Sequence, residues 1–380
     1  MAGLEGKTDK LERESTGSPI KKSIGIIGMG RIGEALLANL VDEYEDLGLE
    51  SIYVYYREHR ESRQQDEARV KGVIDQVRTS SGKFPIYSTS NLDELGKNSE
   101  IVVVTIGRKE GGGKRREDLT GQYFHDIKLI MDGLGNNNPT IFMATNPVTP
   151  NCLVAHLCSE NENPRIIGFT RLDYLRAKHI LWEWLNNESN RHIGPEDLDL
   201  SVLGPHGYGL IVTGIKIGHG QNDKLIYSNE QLSSRFLFGS TENLLERLSK
   251  ETSEYGERVY QVTSPDGTPV FFANQIIESL RNILEGSGKD TVAVNVNLEN
   301  YVEDINGNLE IPRQPTYMSA PVTYRNGVPY IDPNLKMRDI PHQYMLSLIN
   351  TLRQEEGRIK DYLRNHRTNG YIKMMKHFDL

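Results

Sequence analysis

A histidine held in a tight glycine setting, Gly204-Pro205-His206-Gly207, is the residue of this 380-residue chain best placed to take and return a proton. Of ten histidines, it alone sits in a Gly-x-His-Gly turn behind an apolar strand candidate, Leu198–Leu203. Upstream, Thr170-Arg171-Leu172-Asp173-Tyr174-Leu175-Arg176 spaces a carboxylate and a guanidinium three residues apart. On a helix, Asp173 and Arg176 emerge on one face, one turn from each other, which is also the spacing of an ordinary surface ion pair. Further upstream, residues 107–116 (Gly-Arg-Lys-Glu-Gly-Gly-Gly-Lys-Arg-Arg) form a loop rich in glycine and cations. The three stretches supply a proton acceptor, a carboxylate to orient it, a forked cation for a substrate carboxylate and a mobile cation to polarise a carbonyl.

These residues follow Gly28-Met29-Gly30-Arg31-Ile32-Gly33, a GxGxxG turn between an apolar strand candidate, Ser23–Ile27, and an amphipathic stretch, 32–45. In that context Gly28 permits a tight turn, Gly30 lets backbone approach a pyrophosphate, and Gly33 lets helix and strand pack closely. The phosphates then meet the free N–H groups of the helix N-terminus, near Arg31 and Ile32. The next strand candidate, 51–56, ends Tyr55-Tyr56-Arg57-Glu58. An acidic residue usually accepts the ribose hydroxyls of NAD there. With Tyr56 or Arg57 in that position, a 2′-phosphate can pair with the arginine fork, so the cofactor is NAD or NADP, with NADP accepted.

The elements that must position these groups alternate through the first half. Apolar runs at 101–105 and 140–144 and helical patterns at 58–77 and 117–134 join those above, implying a doubly wound parallel sheet. After Thr170 the pattern shifts to longer helices (172–186, 240–254, 273–284, 342–364) and strand pieces near Val202, 210–217 and 291–298. Asn326-Gly327 between 321–324 and Val328–Ile331 signals a hairpin. We expect an α/β fold with a C-terminal α+β catalytic domain. The divisions are a disordered extension (1–20), a dinucleotide-binding domain (21–168), a catalytic domain (169–368) and a tail (369–380), docked or frayed.

The net charge of −8 argues against general nucleic-acid or membrane-surface binding. Two cysteines, Cys152 and Cys158, build no disulfide framework, and no zinc-ligand spacing occurs, so no metal and a cytoplasmic location are expected. The longest apolar runs are too short to cross a bilayer.

The order of these motifs, cofactor turn first and histidine last, resembles the lactate/malate dehydrogenase family over about 23–362. Asn146-Pro147-Val148 after an apolar strand, Leu-Asp-x-x-Arg preceded by Thr170, and Gly-Pro-His-Gly carry the resemblance. It implies a Rossmann domain and hydride transfer between a nicotinamide and a 2-oxo/2-hydroxy acid, malate/oxaloacetate ahead of lactate-type substrates. It further implies that His206 exchanges the proton, Asp173 orients it, Arg176 grips the substrate carboxylate, and Asn146, behind a cis peptide bond, contacts substrate and cofactor. Thr105 and Gly107 join the cofactor contacts. An ungapped match puts Arg116 on the carbonyl-polarising arginine and Glu110 on the substrate-discriminating position, typically Arg or Gln in the family; Arg108 serves if the glycine run shifts the register. Thr268 in Asp-Gly-Thr-Pro falls near the family's substrate-side hydroxyl. The resemblance also implies a homodimer or homotetramer, with helices such as 32–45 as candidate interfaces. Two rival readings are an NAD-dependent glycosidase using a metal, suggested by Cys152, and a non-catalytic dinucleotide sensor or scaffold.

Overall fold

The computed structural model describes residues 22–57, 63–82, 84–107, 120–188, 193–207, 209–218, 241–263, 269–298, 312, 315–332, 335, 340, 342–366 and 371–379. The first half runs β1 (Ser23–Ile27), α1 (Arg31–Asp42), α2 (Tyr44–Leu47), β2 (Ser51–Tyr55), α3 (Arg63–Ser81), β3 (Ile86–Thr89), α4 (Leu92–Asn98) and β4 (Ile101–Val104). It continues through α5 (Thr120–Leu134), β5 (Thr140–Met143), α6 (Val148–Cys158) and β6 (Ile166–Phe169). The second half comprises α7 (Arg171–Glu188), β7 (Leu198–Leu203), β8 (Ile211–Ile217), α8 (Thr241–Thr263), α9 (Pro269–Glu285), β9 (Lys289–Asn295), β10 (Tyr317–Arg325), β11 (Val328–Ile331), α10 (His342–Asn365) and α11 (Ile372–His377).

The first six strands pair in parallel in the order β3-β2-β1-β4-β5-β6. Strands β1, β4, β5 and β6 are buried along their whole length, as a sheet covered on both faces requires. One face packs Leu36 and Leu37 of α1, Ile74 of α3 and Ile277 of α9. The other packs Leu95 of α4, Phe124 and Ile127 of α5 and Val154 of α6. Chain order reverses between β1 and β4, which opens a crevice at the carboxyl edge of the sheet.

The sheet does not stop at Gly168. β9 pairs antiparallel with β6 (Gly168↔Ala293), and β10 and β11 follow, making a nine-stranded mixed sheet. The 326–327 turn has φ of 51° and 74°, the doubly left-handed geometry that Asn-Gly favours. β7 and β8 form a separate antiparallel pair against α7 and α8.

Several elements escaped the sequence reading. α6 is buried on almost every side, so it has no polar face to give a helical period, and prolines at 147 and 150 mask its start. β3, α4 and β6 are only four to seven residues long. The polar helix expected at 58–77 is described from Arg63 and runs to Ser81. The tail is docked: Tyr371, Met374 and Phe378 are buried beside Cys158 and α6. α1, considered as a contact between copies, packs its apolar stripe on α9 of its own chain. The 1–20 extension lies outside the described residues. Among the described residues, no helix is long and apolar enough to cross a membrane.

Candidate active site

The parallel strands bring the first group of candidates to one edge. Gly28 follows β1, Tyr56 and Arg57 follow β2, Thr105 and Gly107 follow β4, Asn146 follows β5, and α7 opens after β6. Ligands in open α/β sheets bind at this carboxyl edge.

The glycine turn fits a dinucleotide. Gly28 has φ +107°, and a Cβ there would sit 2.7 Å from Ile106 N and Thr105 C. A Cβ on Gly33 would lie 2.0 Å from Gly28 O, so the helix meets the turn at a distance no side chain allows. Gly30, by contrast, faces open space, with no atom within 4 Å of its missing Cβ. As the N-cap of α1 it provides no side-chain cap, and the positive end of the helix dipole there suits an anion. Gly107 is equally open. Thr105 directs its hydroxyl to Gly28 O (2.7 Å), bracing the turn from β4.

The end of β2 is organised differently from what its sequence suggests. Tyr56 donates its N–H to Thr89 O and packs on the α1 side of the sheet. The Arg57 guanidinium lies 3.1 Å from Asp126 Oδ1 of α5. Sequence reading missed Asp126 because 69 residues separate it from Arg57.

At the β5 end, the Asn146–Pro147 peptide is cis, as expected. Asn151, fully buried in α6, donates to Thr145 O (3.0 Å), and Thr145 donates to Val104 O (3.1 Å). Thr149 donates to the buried Glu355 of α10 (3.0 Å), tying the α6 start to the second half. The Asn146 side chain itself makes no hydrogen bond among the described residues. None of Asn151, Thr149 and Glu355 carried a sequence signal.

The acid–base group closes on Asp173. Its side chain is fully buried, and its two oxygens serve different partners: Oδ2 lies 2.7 Å from His206 Nδ1, and Oδ1 lies 3.2 Å from Arg176 NH1. Burial of a carboxylate is tolerated because both oxygens are paired. With Nδ1–H donated to the carboxylate, Nε2 is the ring nitrogen left to exchange a proton. The loop carrying His206 joins β7 to β8 and is pinned by a two-way backbone bridge between Gly204 and Ser319 of β10 (2.8 and 3.2 Å). Gly204, at φ +109°, is hemmed by Gly209 O at 3.0 Å, which restricts this corner to glycine. Arg176 keeps Nε and NH2 clear of Asp173, so a forked grip on a substrate carboxylate remains open to it.

Arg116, Glu110 and Thr268 lie outside the described residues. A cavity of about 480 Å³ lies elsewhere, lined on α7 by Arg171, Tyr174, Leu175 and Lys178. By helical spacing this is the face opposite Asp173 and Arg176, so cavity size does not mark the chemistry here. Burial, followed by nearby Asp199, pushes the Tyr174 phenol up to about 12, and burial lowers the Lys178 ammonium. Burial also raises the Cys152 thiol. Among the described residues, no group of three or more His, Cys, Asp or Glu is placed to hold a metal.

Comparison with known proteins bears on the fold that positions these residues. A malate dehydrogenase of Chlorobium limicola is 31% identical over 138 residues, 34% of this chain and 43% of its own length. An L-lactate dehydrogenase A chain of Harpagifer antarcticus is 24% identical over 238 residues, 57% of this chain and 66% of its own. The chain thus spans about two fifths to two thirds of these relatives. The crystal structure of malate dehydrogenase from Naegleria fowleri superposes with a TM-score of 0.69 over 90% of this chain and 98% of that one, at 15% identity, a likeness of fold. Residues 22–168 match the family described as lactate/malate dehydrogenase, NAD binding domain. Those residues therefore form a domain of the lactate/malate dehydrogenase NAD-binding kind.

Proposed function

We propose that this chain is an NAD-dependent 2-hydroxy acid dehydrogenase, acting on oxaloacetate and malate ahead of lactate-type substrates. One observation carries the reading: a fully buried carboxylate, Asp173, joins His206 at 2.7 Å and Arg176 at 3.2 Å. A dinucleotide scaffold needs neither contact. The division into a dinucleotide half (21–168) and a catalytic half (169–368), and assembly as a homodimer or homotetramer, belong to the same proposal.

Bound along the Gly28–Gly33 turn, the nicotinamide cofactor supplies the hydride chemistry. His206 Nε2 takes the hydroxyl proton in oxidation and returns it to the carbonyl oxygen in reduction. Asp173 fixes the imidazole tautomer and stabilises the charged ring. Arg176 holds the substrate carboxylate at two points, which turns an encounter into an orientation. Arg116, carried by the 107–116 loop, adds positive charge at the carbonyl oxygen. Asn146 presents its amide from the β5 end.

The metal-dependent glycosidase reading loses its support, since Cys152 is buried against Gly168 with its thiol pushed up. Oxaloacetate comes first because residues 107–116 hold five cations to pair a second carboxylate. The test is a panel of 2-oxo acids with NADH and NADPH. We expect oxaloacetate to turn over fastest, and Glu110→Arg to increase its lead if Glu110 faces the distal carboxylate. NADH binding without turnover of any 2-oxo acid would instead leave the sensor reading.

A further inference from the structure

Among the described residues the β2 end carries no acid to read the ribose of NAD, and Arg57 stands there with a charge suited to the 2′-phosphate of NADP. The chain supplies a carboxylate to this place from another element. Asp126, in the second turn of α5, is mostly buried beside Ile127 and faces the half-exposed Arg57 (side chains 11% and 44% exposed) at 3.1 Å. Ile27 pairs with Tyr55 in the β1–β2 ladder, so Arg57 lies one residue beyond the level at which Gly28 opens the phosphate turn. The adenosine ribose of a dinucleotide lying on that turn reaches the end of β2.

We propose that Asp126 is the residue that selects NAD over NADP, by holding Arg57 and cancelling its charge; this rests on the NAD-binding assignment of 22–168. A 2′-phosphate arriving at Arg57 must compete with a carboxylate already paired to it, and it also meets that carboxylate's negative charge. The unphosphorylated ribose of NAD meets neither penalty. The selectivity that other chains obtain from an acid on β2 is obtained here across 69 residues of sequence.

The test is equilibrium binding of NADH and NADPH to the full chain, followed by nicotinamide fluorescence, so no turnover is needed. Wild type should bind NADH at least about tenfold tighter than NADPH, the scale of one charge-assisted hydrogen bond. Asp126→Asn should tighten NADPH about tenfold while moving NADH less than about threefold, and added salt should shrink the gain. The gain should vanish in the double variant Asp126→Asn with Arg57→Gln. Asp126→Ser, a second removal of the charge, covers the case in which the first variant melts early. An unchanged NADPH-to-NADH ratio in a folded Asp126 variant, a gain that survives loss of Arg57, or a wild type indifferent to the 2′-phosphate overturns the proposal. Wild type binding neither nucleotide would strike the dinucleotide assignment itself, a different failure.

Discussion

Asp173 and Arg176 are joined within one turn of α7, Oδ1 to NH1 at 3.2 Å, while the other oxygen of the same carboxylate holds His206. One buried group therefore sets two orientations, and its loss should be felt twice. Asp173→Asn has one carbonyl oxygen where two acceptors are needed. We predict a fall in kcat of roughly ten-thousandfold, the scale seen when the orienting carboxylate of an acid–base histidine is neutralised, with KM for the 2-oxo acid rising as well. Steady-state kinetics check it; a loss confined to kcat would show Arg176 to be indifferent to its partner.

Arg176→Lys keeps the charge and removes the fork. The variant should lose on the order of 2–4 kcal/mol in kcat/KM, the cost of truncating one partner of a desolvated charge pair. Kinetics within twofold of wild type would remove Arg176 from the substrate site.

At Gly33 the missing side chain is a structural requirement, because a Cβ would lie 2.0 Å from the carbonyl oxygen of Gly28. Gly33→Ala must push α1 off the turn. We expect a stability loss of about 1–3 kcal/mol, the usual cost of overpacking, together with weakened NADH binding. Thermal melts and fluorescence titration read both, and an alanine variant that binds NADH normally would contradict the close packing.

Alkaline pH should weaken the fold through Tyr174. Its phenol rises to about 12 in the folded chain, mainly from burial and then from Asp199. Unfolded, it ionises near 10. Between these values the folded state binds more protons than the unfolded one, so this tyrosine's contribution to stability falls as pH rises through that window. Tyr174→Phe should lose less stability than wild type from pH 9.5 to 11.5 in urea titrations. Parallel losses in the two proteins would count against a buried phenol.

Much of this arrangement was legible in the sequence because local spacing carried it. The glycine turn, the Leu-Asp-x-x-Arg helix start and the Gly-Pro-His-Gly corner each fix a backbone geometry within a few residues, and Asp173, Arg176 and His206 come together. What sequence spacing could not show is what long-range pairing created. Asp126 meets Arg57 only because α5 folds beside β2. Glu355 meets Thr149 across 206 residues. β9 joins the first-half sheet because its edge at β6 is open, and no periodicity encodes such a choice of partner. α6 was hidden for the opposite reason: a helix apolar on all sides has no stripe to betray it.

In the proposed reaction His206 exchanges the proton while the nucleotide is held by other residues. His206→Asn, measured by NADH binding and by turnover of oxaloacetate in parallel, separates the two. NADH affinity should stay within about threefold of wild type, since the phosphate turn lies after β1, and turnover should fall by at least about a thousandfold in both directions. Turnover that survives the substitution, or NADH binding lost in step with it in a folded protein, would contradict the account.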